Sequence, residues 1–185
     1  MIKYIALLRG INVGGKNIIK MTDLKTAFEG SGFQNVYTYI NSGNILFDSV
    51  LDECTIKATC ENLIANSFGF VIPVCVISYV ELRDALAHAP DWWNDDRESK
   101  HNAIFVIPPM TVEAVCAHVG KTNAEYERLA YHGKVLFWSA PITTFSRTRL
   151  TRTVQSKVVY NFITIRNSNT ALRLAELAGE VYSQK

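Results

Sequence analysis

A chain of 185 residues that is 48% hydrophobic and 19% charged fits one large domain or two small ones and excludes a disordered polypeptide. Its net charge of +2 identifies no partner class, and no apolar run reaches the roughly 18 residues that a membrane span needs. The four cysteines, Cys54, Cys60, Cys75 and Cys116, lack metal-ligand spacing and read as free thiols, so neither a structural zinc nor a disulfide framework is expected.

In chain order, Lys3–Leu8 is a short apolar run ended by Gly10 and reads as a buried strand. A glycine-rich loop, RGINVGGKN (Arg9–Asn17), follows. Thr22 then offers a helix cap and Asp23 a first-turn negative charge, with Leu24, Ala27 and Phe28 on one face up to Gly30. Asn35–Ile40, the turn Asn41–Asn44 and Ile45–Phe47 form a hairpin. Asp48 and Ser49 are expected to cap a helix reaching Phe68 and stopped by Gly69. Val71–Ile77 is a strand, and Ser78–Glu81 is a capping box for a helix to about His88. The order up to Ile77 is β-α-β-β-α-β, the ferredoxin-like pattern.

Pro90–Lys100 breaks the periodicity and reads as a connection whose Trp92 and Trp93 fill a gap. Ala103–Ile107 restarts a strand, Thr111–Val119 a helix, and Tyr126–Tyr131 with Val135–Trp138 a second hairpin about Gly133. Leu150–Tyr160 is the fifth element, Phe162–Ile165 the closing strand, and Thr170–Val181 an amphipathic C-terminal helix. The hexapeptides Ser42–Phe47 and His132–Phe137 align at an offset of 90 residues and fall at the same place in the order of elements, the mark of a duplication. The expected fold is therefore α+β: duplicated ferredoxin-like (βαββαβ) repeats packed as one compact protein with a C-terminal helix. The subdomains are 1–89 and 101–185, joined by 90–100.

Three blocks, KYIALLRGINVGGKN (Lys3–Asn17), TYINSGNILF (Thr38–Phe47) and TIRNSNTALRLAEL (Thr164–Leu177), resemble signature blocks of the domain of unknown function 1697 family of uncharacterised bacterial proteins. The resemblance implies a compact α+β protein of two similar subdomains and carries no catalytic residue with it.

The loop Arg9–Asn17 is the leading binding candidate. Gly10, Gly15 and Lys16 match the phosphate-binding pattern G-x-x-x-x-G-K-[ST], except that Asn17 stands where a hydroxyl should hold Mg²⁺. The helix signal also comes too late, and the β-α-β-β order does not give the parallel sheet of nucleoside triphosphatases. The weaker reading is an anion held by Arg9, Gly10, Asn12, Gly14, Gly15, Lys16 and Asn17, with Ser42 and Asn44 of the hairpin turn nearby. Residues 1–22 carry Lys3, Arg9, Lys16 and Lys20 without an acid, and Arg128–Ala175 carries eight basic residues without one. If these segments converge they form a positive face. Arg147, Arg149, Arg166 and Asn167 are then the second group of ligand donors.

Two alternatives stand beside this. Tyr37, Tyr39, Phe47, Tyr126, Tyr131, Phe137 and Trp138 on the hairpins could stack on single-stranded nucleic acid bound by the basic face. A protein–protein interaction module would use Trp92 and Trp93. Of the four histidines only His132, at the second hairpin turn, is a candidate general base. No nucleophile motif, cofactor or metal is read from the sequence, the default location is cytoplasmic, and oligomeric state has no signal.

Overall fold

The computed structural model describes residues 1–180, the side chain of Lys157 apart. Contacts divide the chain into two compact units, Met1–Val80 with Leu174–Lys185, and Glu81–Arg173. The expected boundaries, 1–89 and 101–185, follow strand order. They leave with each repeat the helix after its fourth strand, whereas most of that helix in the first repeat, and the later part of its counterpart in the second, group with the other unit.

In the first unit the order is β1 (Ile2–Leu8), α1 (Met21–Gly30), β2 (Gln34–Tyr39), β3 (Asn44–Ser49), α2 (Glu53–Phe68) and β4 (Val74–Ser78). The strands form one antiparallel sheet in the order β2-β3-β1-β4, the ferredoxin-like arrangement expected from sequence. Helices α1 and α2 bury Leu24, Phe28, Ile56, Cys60 and Ile64 in a core with Tyr4, Ala6, Leu8, Ile45 and Phe47. Phe28, Phe33 and Phe47 meet there as a cluster with ring centroids 4.5–5.8 Å apart.

Two cap assignments are corrected. Helix α1 starts behind Lys20, which gives no side-chain cap, and Thr22 lies inside the first turn donating to Asp23 Oδ1 at 3.2 Å. Helix α2 is capped by Asp52, whose carboxylate accepts from the Thr55 amide, while Asp48 and Ser49 remain in β3. The spacing failed because β3 runs two residues further than its apolar stretch, carrying the buried Asp48 with it.

Helix α3 (Tyr79–Ala87) leads into the second unit, which continues with β5 (Ser99–Val106), α4 (Val112–Val119), β6 (Arg128–His132), β7 (Val135–Pro141), α5 (Arg149–Thr153), α6 (Lys157–Tyr160) and β8 (Ile163–Asn167); α7 (Ser168–Glu180) follows. The sheet order β6-β7-β5-β8 repeats that of the first unit. The expected single element over Leu150–Tyr160 is split into α5 and α6, because Ser156 becomes an N-cap after the β-branched run Thr151, Thr153 and Val154. The end of the expected C-terminal helix, Val181, lies outside the described residues.

The register shows the duplication directly. Leu46 pairs with Tyr37 on the edge strand and with Ile5 on the central one, and Ile5 pairs onward with Ile77. Leu136 pairs in the same way with Tyr131 and Ile104, and Ile104 with Ile165. The hexapeptide match is thus the sequence trace of one cross-sheet row built twice. Among the described residues, no helix is long and apolar enough to cross a membrane.

Candidate functional site

The glycine-rich loop leaves β1 through two backbone bonds: Leu8 N–H donates to Gly43 O at 2.8 Å and Arg9 N–H to Pro73 O at 3.2 Å. Its path then needs left-handed backbone at Asn12 (φ 54°) and Asn17 (φ 48°), and asparagine tolerates that region better than most side chains. Asn12 ties the loop shut. Its Nδ2 donates to Ile19 O at 3.0 Å and Asn41 O at 2.9 Å, and its Oδ1 accepts from Ile19 N–H at 2.9 Å. Asn17 Nδ2 donates to Gly10 O at 3.1 Å, and Lys16 N–H closes a turn on Val13 O at 3.1 Å. Gly14 and Gly15 form the tip at φ 59° and 74°, with open space where a Cβ would sit.

Asn12 and Asn17, expected as ligand donors, therefore spend their amides on the loop itself. Asn44 is fully buried and donates within the hairpin turn, to Tyr39 O at 3.0 Å and to Ser42 Oγ at 2.9 Å. The bonds of Asn12 and Asn17 give the loop one shape.

That shape borders an open groove of about 570 Å³ lined by Asn12, Gly15, Ile18, Ile19, Lys20, Met21, Thr22 and Asn41. Met21 and Thr22 are the first turn of α1, whose amides have no side-chain cap, with Lys20 at the N-cap position. Asp23 is the one acid in that turn and offsets part of the helix dipole. Ile18, which lines the groove, is exposed and gives it an apolar edge. Helix α1 begins four residues past Asn17 and the sheet is antiparallel, so the loop does not adopt the nucleoside-triphosphate geometry that its glycine spacing imitates.

The second set of expected donors belongs to the second unit. Arg149 begins α5, where its amide donates to Glu127 Oε1 at 2.7 Å and the Leu150 amide to Glu127 Oε2 at 3.2 Å; the buried glutamate caps the helix. Arg149 Nη1 turns to Val119 O at 3.5 Å. Arg166 is buried on β8, and its Nη1 donates to Thr164 Oγ1 at 2.8 Å and Ile165 O at 2.9 Å. Asn167 Oδ1 accepts from Thr170 N–H at 2.8 Å at the start of α7 and lines a polar cavity of about 730 Å³ with Asp96, Lys100, His101 and Ser168. Arg147 ends a short 3₁₀ turn. Arg149 and Arg166 thus serve local structure, and Lys3, part of the expected basic face, is buried against Asp48.

The aromatics divide in the same way. Phe47, Phe137 and Trp138 are buried and not available for stacking, while Tyr37 and Tyr131 stay exposed. Trp93 is buried edge-on against Phe137 at 5.0 Å, and its Nε1 donates to Asn102 O at 2.9 Å. It is a core residue of the second unit.

Two polar groups escaped the sequence reading. His101 and Ser139 face each other across β5 and β7 with Nδ1 and Oγ 2.6 Å apart, and His101 Nε2 lies 3.0 Å from Asp96 O. Burial pulls the Asp96 carboxyl upward, but hydrogen bonds from Ser99 hold it below its usual value. Both His101 and Ser139 are buried, so this relay reads as support for the cavity wall. The other group is Asp84, His88 and His132: His132, the candidate general base, has its Nε2 2.8 Å from Asp84 Oδ2. Asp84 and His88 have the i,i+4 spacing of one helix face, but His132 and the His101–Ser139 pairing join elements distant in the chain and leave no local signal.

Comparison with solved structures finds a conserved bacterial protein from Streptococcus pneumoniae with a TM-score of 0.85 and 29% identity, covering 96% of this chain and 98% of that one. An unknown protein from Galdieria sulphuraria aligns over 90% and 96% of the two chains at 13% identity, but a TM-score of 0.26 adds nothing to the fold assignment. No curated protein matches. The family described as protein of unknown function (DUF1697) matches residues 1–137, the whole first repeat and the second as far as Phe137, and the chain belongs to that family.

Proposed function

We propose that this protein binds a small anionic ligand, phosphate-bearing compounds included, in the groove between the Gly10–Asn17 loop, Asn41 and the start of α1. The observation that carries this is the first turn of α1, uncapped by any side chain and forming the groove wall beside Gly15 and Lys20. Unpaired N–H groups and the positive end of the helix dipole favour an anion there. Among the described residues, the Gly14 and Gly15 amides add donors without a backbone partner. Lys16 and Lys20 supply positive charge, and exposed Ile18 in the groove wall suits a ligand with an apolar portion. Arg147, Arg149, Arg166 and Asn167 are not needed for this reading.

A thermal-shift screen with nucleotides, sugar phosphates and coenzymes tests it. A ligand at 100 times its Kd stabilises by about 2.7 kcal/mol, a rise of roughly 5–10 °C for a chain of this size. Lys16→Ala and Lys20→Ala should remove the rise without changing the fold. If no anion shifts the melting temperature, or if both variants keep the shift, the reading fails.

A further inference from the structure

In the second unit, Asp84 lies on α3 and His88 just past its end, four residues on, while His132 closes β6. The fold brings all three to one point. His132 Nε2 is 2.8 Å from Asp84 Oδ2, and His88 Nδ1 is 3.5 Å from Asp84 Oδ1. The two imidazole rings stack with centroids 4.1 Å apart and planes within 2°. One ligand atom from each residue lies within 4.8 Å of the other two.

We propose that Asp84, His88 and His132 form a binding site for a divalent transition-metal ion of the zinc, nickel or cobalt type. Two imidazoles and one carboxylate are donors that such ions prefer, while magnesium and calcium favour all-oxygen sites. The second interactions fit as well. His88 Nδ1 lies 2.9 Å from the backbone carbonyl of Asp84; a carbonyl only accepts, so Nδ1–H donates and Nε2 keeps its lone pair for an ion. Since the Asp84 carboxylate accepts, His132 Nε2–H donates to it; on binding, exchange with solvent moves the ring to its Nδ1–H tautomer, which frees the Nε2 lone pair, and the ion takes its place between nitrogen and oxygen.

Two donors on one ion at about 2.1 Å each lie no more than about 4.2 Å apart, so the three side chains must draw in slightly. They are free to do so. Asp84 and His88 side chains are each 57% exposed and His132 37%, which also opens the site to ions from solvent. Near it, Lys134 Nζ pairs with Glu81 Oε1 at 2.8 Å; this offsets the one cation of the hairpin tip and joins the tip to α3, the element that carries Asp84. Three protein ligands leave coordination positions for water or a small anion, the pattern of reactive rather than purely structural sites.

Equilibrium dialysis and calorimetry with ZnCl₂ and NiCl₂, with MgCl₂ as control, test the proposal on the full chain. One equivalent of zinc or nickel should bind and magnesium should not, and Co²⁺ should give a visible absorption band. His88→Ala and His132→Ala should each weaken binding at least tenfold. His132→Gln separates the site from a structural contact: its amide can still donate to Asp84, so the metal-free melting temperature should stay near wild type while binding is lost. Cys54→Ser, which removes an exposed thiol, should change nothing. No stoichiometric uptake at millimolar ion, or uptake that survives loss of both histidines, would overturn the proposal.

Discussion

Lys3 Nζ lies 2.7 Å from Asp48 Oδ1 across the register pair of β1 and β3, with the two side chains only 3% and 7% exposed. Asn35 Nδ2 donates to the other carboxylate oxygen at 2.7 Å, so the charge is both paired and hydrogen-bonded. Removing one partner strands the other in the sheet. Asp48→Ala should destabilise by about 3–5 kcal/mol, whereas replacing both residues with apolar ones of similar volume should be nearly neutral or stabilising. Urea unfolding of the two variants checks this; equal losses in both would show that the pair itself carries the stability.

Gly43 closes the first hairpin turn at φ 74°, and a Cβ there would lie 2.7 Å from Leu8 Cβ and 2.9 Å from Ile11 Cδ1. Leu8 Cβ is fixed to the strand whose amide bonds to Gly43 O, so it cannot yield. Gly43→Ala should therefore cost about 2–4 kcal/mol, from overpacking and left-handed strain together. Gly133 occupies the second hairpin turn at φ 55° with open space around it. Its alanine variant carries only the strain, about 1–2 kcal/mol. Parallel thermal melts read the difference.

Both turns were legible in sequence because a glycine between two apolar runs signals a hairpin locally, Gly43 in the company of Asn41, Ser42 and Asn44 and Gly133 between His132 and Lys134. The duplication was legible for a similar reason: Leu46 and Leu136 hold the same place in equivalent rows of the two separate sheets, and those rows repeat their residue types. What stayed hidden depends on partners distant in the chain. Asp48 looks like a helix cap until β1 brings Lys3 opposite it. Arg166 looks like a ligand donor until its guanidinium is found bonded to Thr164 and Ile165. Asn12 and Asn17 belong to the loop by sequence, but that their amides hold its shape shows only in the fold. Asp84 and His132 are 48 residues apart, and no local pattern reports that distance closed.

Asp52 gives a pH-dependent prediction. Hydrogen bonds from the Thr55 amide and then its hydroxyl hold the Asp52 carboxyl below the usual aspartate range. A folded value below the unfolded one means that the contribution is complete above the unfolded pKa and disappears as pH falls through the folded one. Asp52→Asn can still accept from the Thr55 amide but does not titrate. Near neutral pH the wild type should melt higher than the variant, and the gap should close below about pH 4. A gap that is constant down to acid would remove the charge from the account.

Asn12 is where stability and the proposed function meet. Its side chain makes three bonds, to both backbone groups of Ile19 and to Asn41 O, at a left-handed backbone position. Asn12→Ala loses all three and keeps a Cβ at φ 54°, so a loss of about 1–3 kcal/mol is expected. Asn12→Gly relaxes the backbone and should recover part of it. Asn12→Asp keeps the acceptor for Ile19 N–H but loses both donated bonds and puts a negative charge in the groove wall. If the groove binds anions, Asn12→Asp should weaken the ligand more than Asn12→Gly even where the two melt alike. Calorimetric titration of both variants with the best ligand from the thermal-shift screen decides it: equal affinities would mean that the groove does not sense charge.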